Sequence, residues 1–559
     1  MKKHGLLKIL GLLLLLVAVV TYFVPGRQDV VNFVGLVDIP INYFSIVIQN
    51  FSYIFLLVLT IGGFYGVLSK IPAYKKLLDN IVAKVKPLGH KFIFLVIILF
   101  AVIASLTGMN IQLLVFVPFV VSIIILLGYD KLVALSSTIV SILVGYLGGI
   151  FVNIVNPNTY GVSTFEELVG LEDKYANVFP KLLLLLLGIA LLIYFVNKYI
   201  TNVENKKVKY ELNDNSELLI NEVKGSYKNI KVWPLVMILS ILFIIMVLGI
   251  IPWESLYEVD FFTLFHERVV GLTIGNIIFR ILLIAVIFGI IQLGIYLVSL
   301  IKKSKYTFKA TIPVFASLAI ALTLEILSVG KIWSIYDVSF ISKIVKFFSG
   351  NNFFDFAFIS NIISAKLPAL GAWDTINGNI YPGGVNYIYI SILLLFVTLV
   401  IALISKVKLN DAMDYFIEGI KKALPAGILM TLAYTVLICA YNNGFLEGII
   451  SNYGKFNFGI SSILAFFGCL LNVDMYYITY GCFLPIINLV TDETIYAGLA
   501  ILLQGIYSIF SLVGPTSLIL IFGLTYMDVP YTTWLKYIWR FVLSLIILLA
   551  LVVLIVVLL

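Results

Sequence analysis

The stretch Gly514-Pro515-Thr516-Ser517 interrupts a strongly apolar span, and Asn156-Pro157-Asn158-Thr159 interrupts another far upstream. Proline has no backbone N–H and its ring clashes with the preceding turn, so each break frees carbonyls and amides of the helix it ends. At membrane depth such groups are tolerated only where protein or a water-filled cavity satisfies them. Each break closes a membrane-length helix that itself follows an apolar stretch with polar residues at its middle. Two such breaks in corresponding places of two halves point to the substrate site of a transporter.

Composition supplies the setting. Of the 559 residues, 62% are hydrophobic and 12% charged, and the mean hydropathy is +1.10. These values predict an all-α, polytopic membrane protein rather than a soluble one. The net charge of +8 resides in lysines of short loops between apolar spans, which is the positive-inside pattern and no sign of nucleic-acid binding. The three cysteines, Cys439, Cys469 and Cys482, lie in apolar segments without metal spacing or a disulfide framework. No Walker sequence and no clustered nucleophiles, metal ligands or His/Asp pairs are visible, so neither ATP-driven pumping nor an enzyme is expected. The apolar run from Leu6 ends at Phe23-Val24-Pro25-Gly26-Arg27, which is not a small-residue cleavage site, so a retained first span is expected.

Charge orients the spans. Lys70, Lys75, Lys76, Lys84, Lys86 and Lys91 place one loop inside, and Lys206, Lys207, Lys209, Lys224 and Lys228 another. Glu166-Glu167 and Glu172-Asp173 fit an external loop. Full spans are expected near 6–24, 46–68, 132–155, 181–197, 234–251, 270–300, 310–329, 386–404, 425–442, 494–514 and 540–559, with the N-terminus cytoplasmic. Two further stretches, 92–128 and 459–490, are long for one crossing and short for two, and each reads as a re-entrant helical hairpin. Two short tilted helices with a buried turn are the alternative for each.

The elements recur in order: span, short linking segment, hairpin, span, break. Charge puts the base of the first hairpin inside (Lys91, Lys131) and of the second outside (Asp492, Glu493), which predicts an inverted repeat. The parts expected are an N-terminal span and loop (1–45), a first repeat (46–165, hairpin 92–128, broken helix 132–162) and connecting spans (166–251). An atypical segment (252–385) and a second repeat (386–559, hairpin 459–490, broken helix 494–527) follow.

Hairpin tips and broken helices meeting near the midplane present helix ends there. Freed amides and partial positive charge suit carboxylates, and freed carbonyls suit a cation such as Na⁺. Candidate binding residues are Ser105, Thr107, Asn110 and Gln112 at the first tip, and Asn472 and Asp474 at the second. Asn153, Asn156, Asn158 and Thr159 surround the first break, and Ser511, Thr516 and Ser517 the second. Asp474 is an ionisable group between apolar flanks, a functional residue by default. The bland readings are an external loop for Asp474, interhelical hydrogen bonds for Asn110 and Gln112, and backbone capping for the rest. The glycines Gly62, Gly63 and Gly66 read as close-packing positions.

Several stretches carry a resemblance: Gly62-Gly63-Phe64-Tyr65-Gly66-Val67-Leu68, Thr107-Gly108-Met109, Leu127-Gly128-Tyr129-Asp130, and Asn156-Pro157 with Thr159 and Gly161. Towards the C-terminus come Phe416-Ile417-Glu418-Gly419, Leu424-Pro425, Gln504-Gly505, Pro515-Thr516-Ser517 and Trp534-Leu535-Lys536. Together, over residues 1–230 and 385–559, they resemble the C4-dicarboxylate uptake C and putative basic amino acid antiporter family of the ion transporter superfamily. Family members usually carry two glutamates after the first-tip Gly-Met, where this chain has Asn110 and Gln112, and a Ser/Gly-rich second tip, where it has Asn472 to Tyr477.

The resemblance implies a secondary transporter of small carboxylate-bearing metabolites in a plasma membrane of bacterial type, working by alternating access. With the paired acids gone and Asp474 at the other tip, a zwitterionic or basic amino acid is slightly favoured over a C4-dicarboxylate. A non-transporting scaffold derived from the fold is the third reading. No cofactor is expected; Na⁺ or H⁺ coupling and a homodimer are left open. The expected partners are the substrate and the lipid bilayer.

Overall fold

A computed structural model describes residues 5–24, 33–35, 37–150, 154–155, 162–206, 210, 212, 230–250, 292, 387–471 and 474–558. The all-helical expectation holds, and eight helices among these residues are long and apolar enough to cross a membrane. Expected spans 270–300 and 310–329 lie outside the described residues, apart from Gln292. The chain divides into two compact units, one of residues 1–230 and 413–559 and one of 231–412.

In the first unit, α1 (Gly5–Phe23) and α2 (Phe44–Ser69) precede α3 (Pro72–Val85), an amphipathic helix that buries Tyr74 and Leu78. The first hairpin comprises α4 (His90–Thr107) and α5 (Val117–Leu126), joined through a tight turn at Ile111–Val115. Helix α6 (Lys131–Leu147) follows and contains a π-helical turn at Ser136–Val140. Two two-residue strands, β1 (Ile154–Val155) and β2 (Val162–Ser163), pair antiparallel. Then come α7 (Phe165–Val169), opened by a Thr164/Glu167 capping box, and α8 (Val178–Glu204). In the second unit, α9 (Trp233–Ile250) packs on α10 (Tyr387–Ile404).

Helix α11 (Leu409–Asn443) enters the first unit again at Met413. Behind it lie α12 (Phe445–Tyr453), the second hairpin of α13 (Phe458–Leu471) and α14 (Met475–Ile487), then α15 (Tyr496–Ser511), α16 (Leu518–Tyr526) and α17 (Tyr531–Leu558). Asp492 caps the turn before α15. The Thr494 hydroxyl and amide donating to its carboxylate hold it below the usual carboxylate range.

Two expectations need correction. The helix expected over 132–155 ends at Leu147, where Gly148-Gly149 leave the helical path ahead of the proline. Beyond it, Ile154–Val155 and Val162–Ser163, which flank the proline segment, pair as the strands β1 and β2. The span expected to begin at 425 begins at Leu409 and carries Pro425 inside a 35-residue helix. Trimming at Pro425 is not needed where neighbouring helices re-satisfy the one lost backbone bond.

Packing follows a recurring pattern. Helix α4 lies on α6 and α6 on α8; α13 lies on α15 and α15 on α17. The halves meet where α6 packs on α15 and α8 on α17. Elsewhere α2 crosses α11 at glycines: a Cβ on Gly62 would sit 2.7 Å from the Gly419 carbonyl oxygen, so only glycine permits this approach.

Candidate functional site

At the first tip, α4 ends on Gly108 in the left-handed conformation (φ 64°), which reverses the chain. Asn110 then caps the Ile111–Val115 turn, its Oδ1 accepting from the Ile111 amide. The Gln112 Oε1 accepts from the Asn110 amide at 3.2 Å. Both carboxamides thus spend their oxygens on backbone, which leaves their NH₂ groups as the side-chain donors of this half-buried tip.

The second tip has the same plan with a different charge. Asp474 caps α14, its Oδ1 accepting from the Tyr476 amide at 3.1 Å. Its Oδ2 accepts from the Tyr434 hydroxyl of α11, also at 3.1 Å. Tyr434 stacks on Phe51 of α2 with ring centroids 3.6 Å apart, and Tyr477 packs edge-on against Tyr441 at 4.9 Å. Asp474 also interacts electrostatically with Tyr53, Tyr477 and Tyr146. Each tip also lies beside a segment flanking the other half's break: α16, after the second, beside the Ile111–Val115 turn, and β1, before the first, beside α14.

Asp474 fills the N-terminus of its own helix. At this tip a carboxylate of the chain itself takes the place that a helix N-terminus would otherwise offer to an anion.

The remaining candidates divide. The Ser105 hydroxyl donates to the Gly148 carbonyl at 2.8 Å, and Ser511 donates to the Tyr507 carbonyl at 2.7 Å. Thr107 donates to Ile103 at 2.6 Å and accepts from the Met109 amide at 3.2 Å. Thr516 donates to the Leu470 carbonyl at 3.0 Å, tying the second break to the second hairpin as Ser105 ties the first hairpin to the first break. Ser517 opens α16 without a side-chain capping bond. Asn153, Asn156, Asn158, Thr159 and Asn472 lie outside the described residues.

Other polar residues escape a reading of the sequence. Gln504 of α15 donates through Nε2 to the Tyr146 and Gly149 carbonyls at 3.0 and 2.8 Å, and Ser508 donates to the Leu143 carbonyl at 2.6 Å. One half thus caps the frayed end of the other half's helix. At the second break Trp534 donates to the Leu512 carbonyl at 2.9 Å and Tyr531 to that of Val513. Glu166, expected in an external loop, is buried against Lys181 at 2.7 Å. A lone amide such as Gln504 in an apolar span is a legible signal; tyrosines in apolar spans carry none.

Residues 47–311 match the sequence profile of the C4-dicarboxylate anaerobic carriers. The match runs into the segment after 252, where the motifs above find no counterpart, and does not include 385–559, where they do. It supports the carrier side of the resemblance and lends nothing to the amino acid antiporter side. No curated protein and no solved structure matches the chain. The matched family consists of transporters, not enzymes, and over those residues this multi-pass membrane protein is similar to carriers of C4-dicarboxylates.

Proposed function

We propose that the chain is a secondary carrier of four-carbon dicarboxylates in which the first tip recognises a substrate carboxylate and Asp474 carries the coupling cation. The observation behind this reading is that two chemically unlike tips, one keeping amide donors and one carrying a carboxylate, each pack beside a segment of the other half's broken element, the Ile111–Val115 turn beside α16 and α14 beside β1. Amide NH₂ groups and tyrosine hydroxyls are donors suited to carboxylate oxygens. A dianion beside Asp474 is repelled by about 2 kcal/mol per charge pair at ~8 Å and an effective dielectric of ~20. A proton or Na⁺ on Asp474 removes that repulsion, so cation and substrate favour each other's binding, which is the thermodynamic basis of coupling.

The recurring packing of α4–α6–α8 and α13–α15–α17 supports an inverted repeat. The arms of the second hairpin support a re-entrant reading. At 14 residues α13 spans about 21 Å, short of a hydrocarbon core of ~30 Å. The first hairpin is less symmetric, since α4 with 18 residues is itself near crossing length.

The test is uptake of labelled succinate and fumarate into proteoliposomes under imposed Na⁺ or H⁺ gradients, and in exchange. Saturable, gradient-driven accumulation is expected. If no dicarboxylate moves under any gradient or by exchange, the reading is wrong.

A further inference from the structure

Two grooves run end to end along α11. The first has a volume of about 560 Å³ and is bordered by Lys421, Lys422, Leu424 and Pro425, with Tyr526 and Asp528 across from them. The second, about 510 Å³, is almost wholly apolar; Val47, Phe51, Phe55 and Tyr434 are among its walls. Leu7 and Ile428 line both, so the grooves adjoin.

The dimensions fit one molecule type. From Lys422 to Tyr434 is twelve residues of helix, a rise of about 18 Å, against roughly 15 Å for the hydrocarbon of one leaflet. A cationic end at headgroup level followed by one leaflet's depth of apolar wall is the shape of a phospholipid. The two lysines outnumber Asp528 at the polar end, which selects an anionic headgroup over a zwitterionic one. The lysine stems can lie on the apolar wall while their ammonium groups reach the phosphate.

We propose that an anionic phospholipid of the bilayer occupies this groove, its headgroup on Lys421 and Lys422 and an acyl chain running to Phe51 and Tyr434. Its far end then meets the residue whose hydroxyl holds Asp474, so the lipid acts on the second tip. The acyl chain packs against the Phe51–Tyr434 stack and steadies the Tyr434–Asp474 hydrogen bond. The consequence for transport rests on the proposed function; the binding does not.

The experiment uses the full chain in two arms. In native mass spectrometry against phosphatidylglycerol and phosphatidylcholine, retention favours phosphatidylglycerol, and this preference falls by roughly fivefold for each of Lys421→Gln and Lys422→Gln. Ser52→Trp, which fills the apolar groove at an exposed position, lowers retention of phosphatidylglycerol while leaving both lysines in place. Equal retention of the two lipids, or retention unmoved by all three substitutions, overturns the site. In the second arm, succinate exchange in phosphatidylcholine vesicles rises when phosphatidylglycerol is added, and the double lysine variant does not respond. A response equal in wild type and variant overturns the action on the second tip. Absence of succinate transport in every vesicle, with selective retention intact, defeats the carrier reading alone.

Discussion

The two hairpin tips share a plan and differ in charge. Each turns on a polar residue that caps the helical segment behind it, Asn110 at the first and Asp474 at the second. The first is neutral and leaves amide donors; the second is anionic and held by the Tyr434 hydroxyl. The caps satisfy the same backbone need, so backbone geometry alone does not call for the charge. A carboxylate kept at membrane depth, where an amide would cap as well, implies a task beyond capping. The proposed function divides the labour accordingly: the amides recognise and the carboxylate couples.

The largest effect should come from erasing the difference. Asp474→Asn keeps a capping oxygen and removes the charge. Gradient-driven accumulation of succinate in proteoliposomes is expected to fall about 100-fold or more, consistent with 1.5–3 kcal/mol for each lost charged hydrogen bond added to lost coupling. Exchange between equal pools should survive within a few-fold. Unchanged accumulation would remove the distinction between the tips.

The converse change weakens recognition. Asn110→Ala and Gln112→Ala should each raise the half-saturating succinate concentration about 10-fold, as loss of one hydrogen bond to a carboxylate predicts, and leave the cation dependence in place. A shift in cation dependence instead would assign coupling to the first tip. A smaller effect is expected of Tyr434→Phe, which keeps the stack on Phe51 and deletes the hydroxyl on Asp474. The apparent affinity for the coupling cation should change about threefold to tenfold, measured from uptake against cation concentration.

The breaks offer a parallel contrast. The second keeps its caps within its own half, through Trp534, Tyr531 and Thr516, whereas the first adds Gln504 and Ser508 of the other half to its own Ser105. Gln504→Leu should therefore lower thermal stability by about 1–3 kcal/mol with little change in cation dependence, read from a melting curve of the purified protein. No loss of stability would mean that the first break's carbonyls do not depend on this cap.

Much of the fold could be read from apolar run lengths, because a bilayer sets the length of what crosses it. The helix ends on either side of Pro515 lie close to where apolar pattern and proline place them. Pro157 drew attention away from Gly148-Gly149, where α6 actually ends, because proline announces a break more loudly than paired glycines do. Pro425 misled in the opposite sense, since a helix with packed neighbours absorbs it. Asp474 was legible as a charge between apolar flanks. Its partner Tyr434 was not, because that tyrosine comes from another helix and looks like ordinary core there. Glu166 and Lys181 looked like loop and span-edge charges because their pairing depends on a turn, not on spacing.

The most direct test of the division between tips is the reversal potential of succinate transport in wild type and Asp474→Asn, with the Na⁺ and H⁺ gradients varied one at a time. Wild-type reversal is expected to shift with one of the two cations, and the variant to move succinate still but without that shift. A variant whose reversal tracks the cation as wild type does would show that Asp474 does not carry the coupling charge.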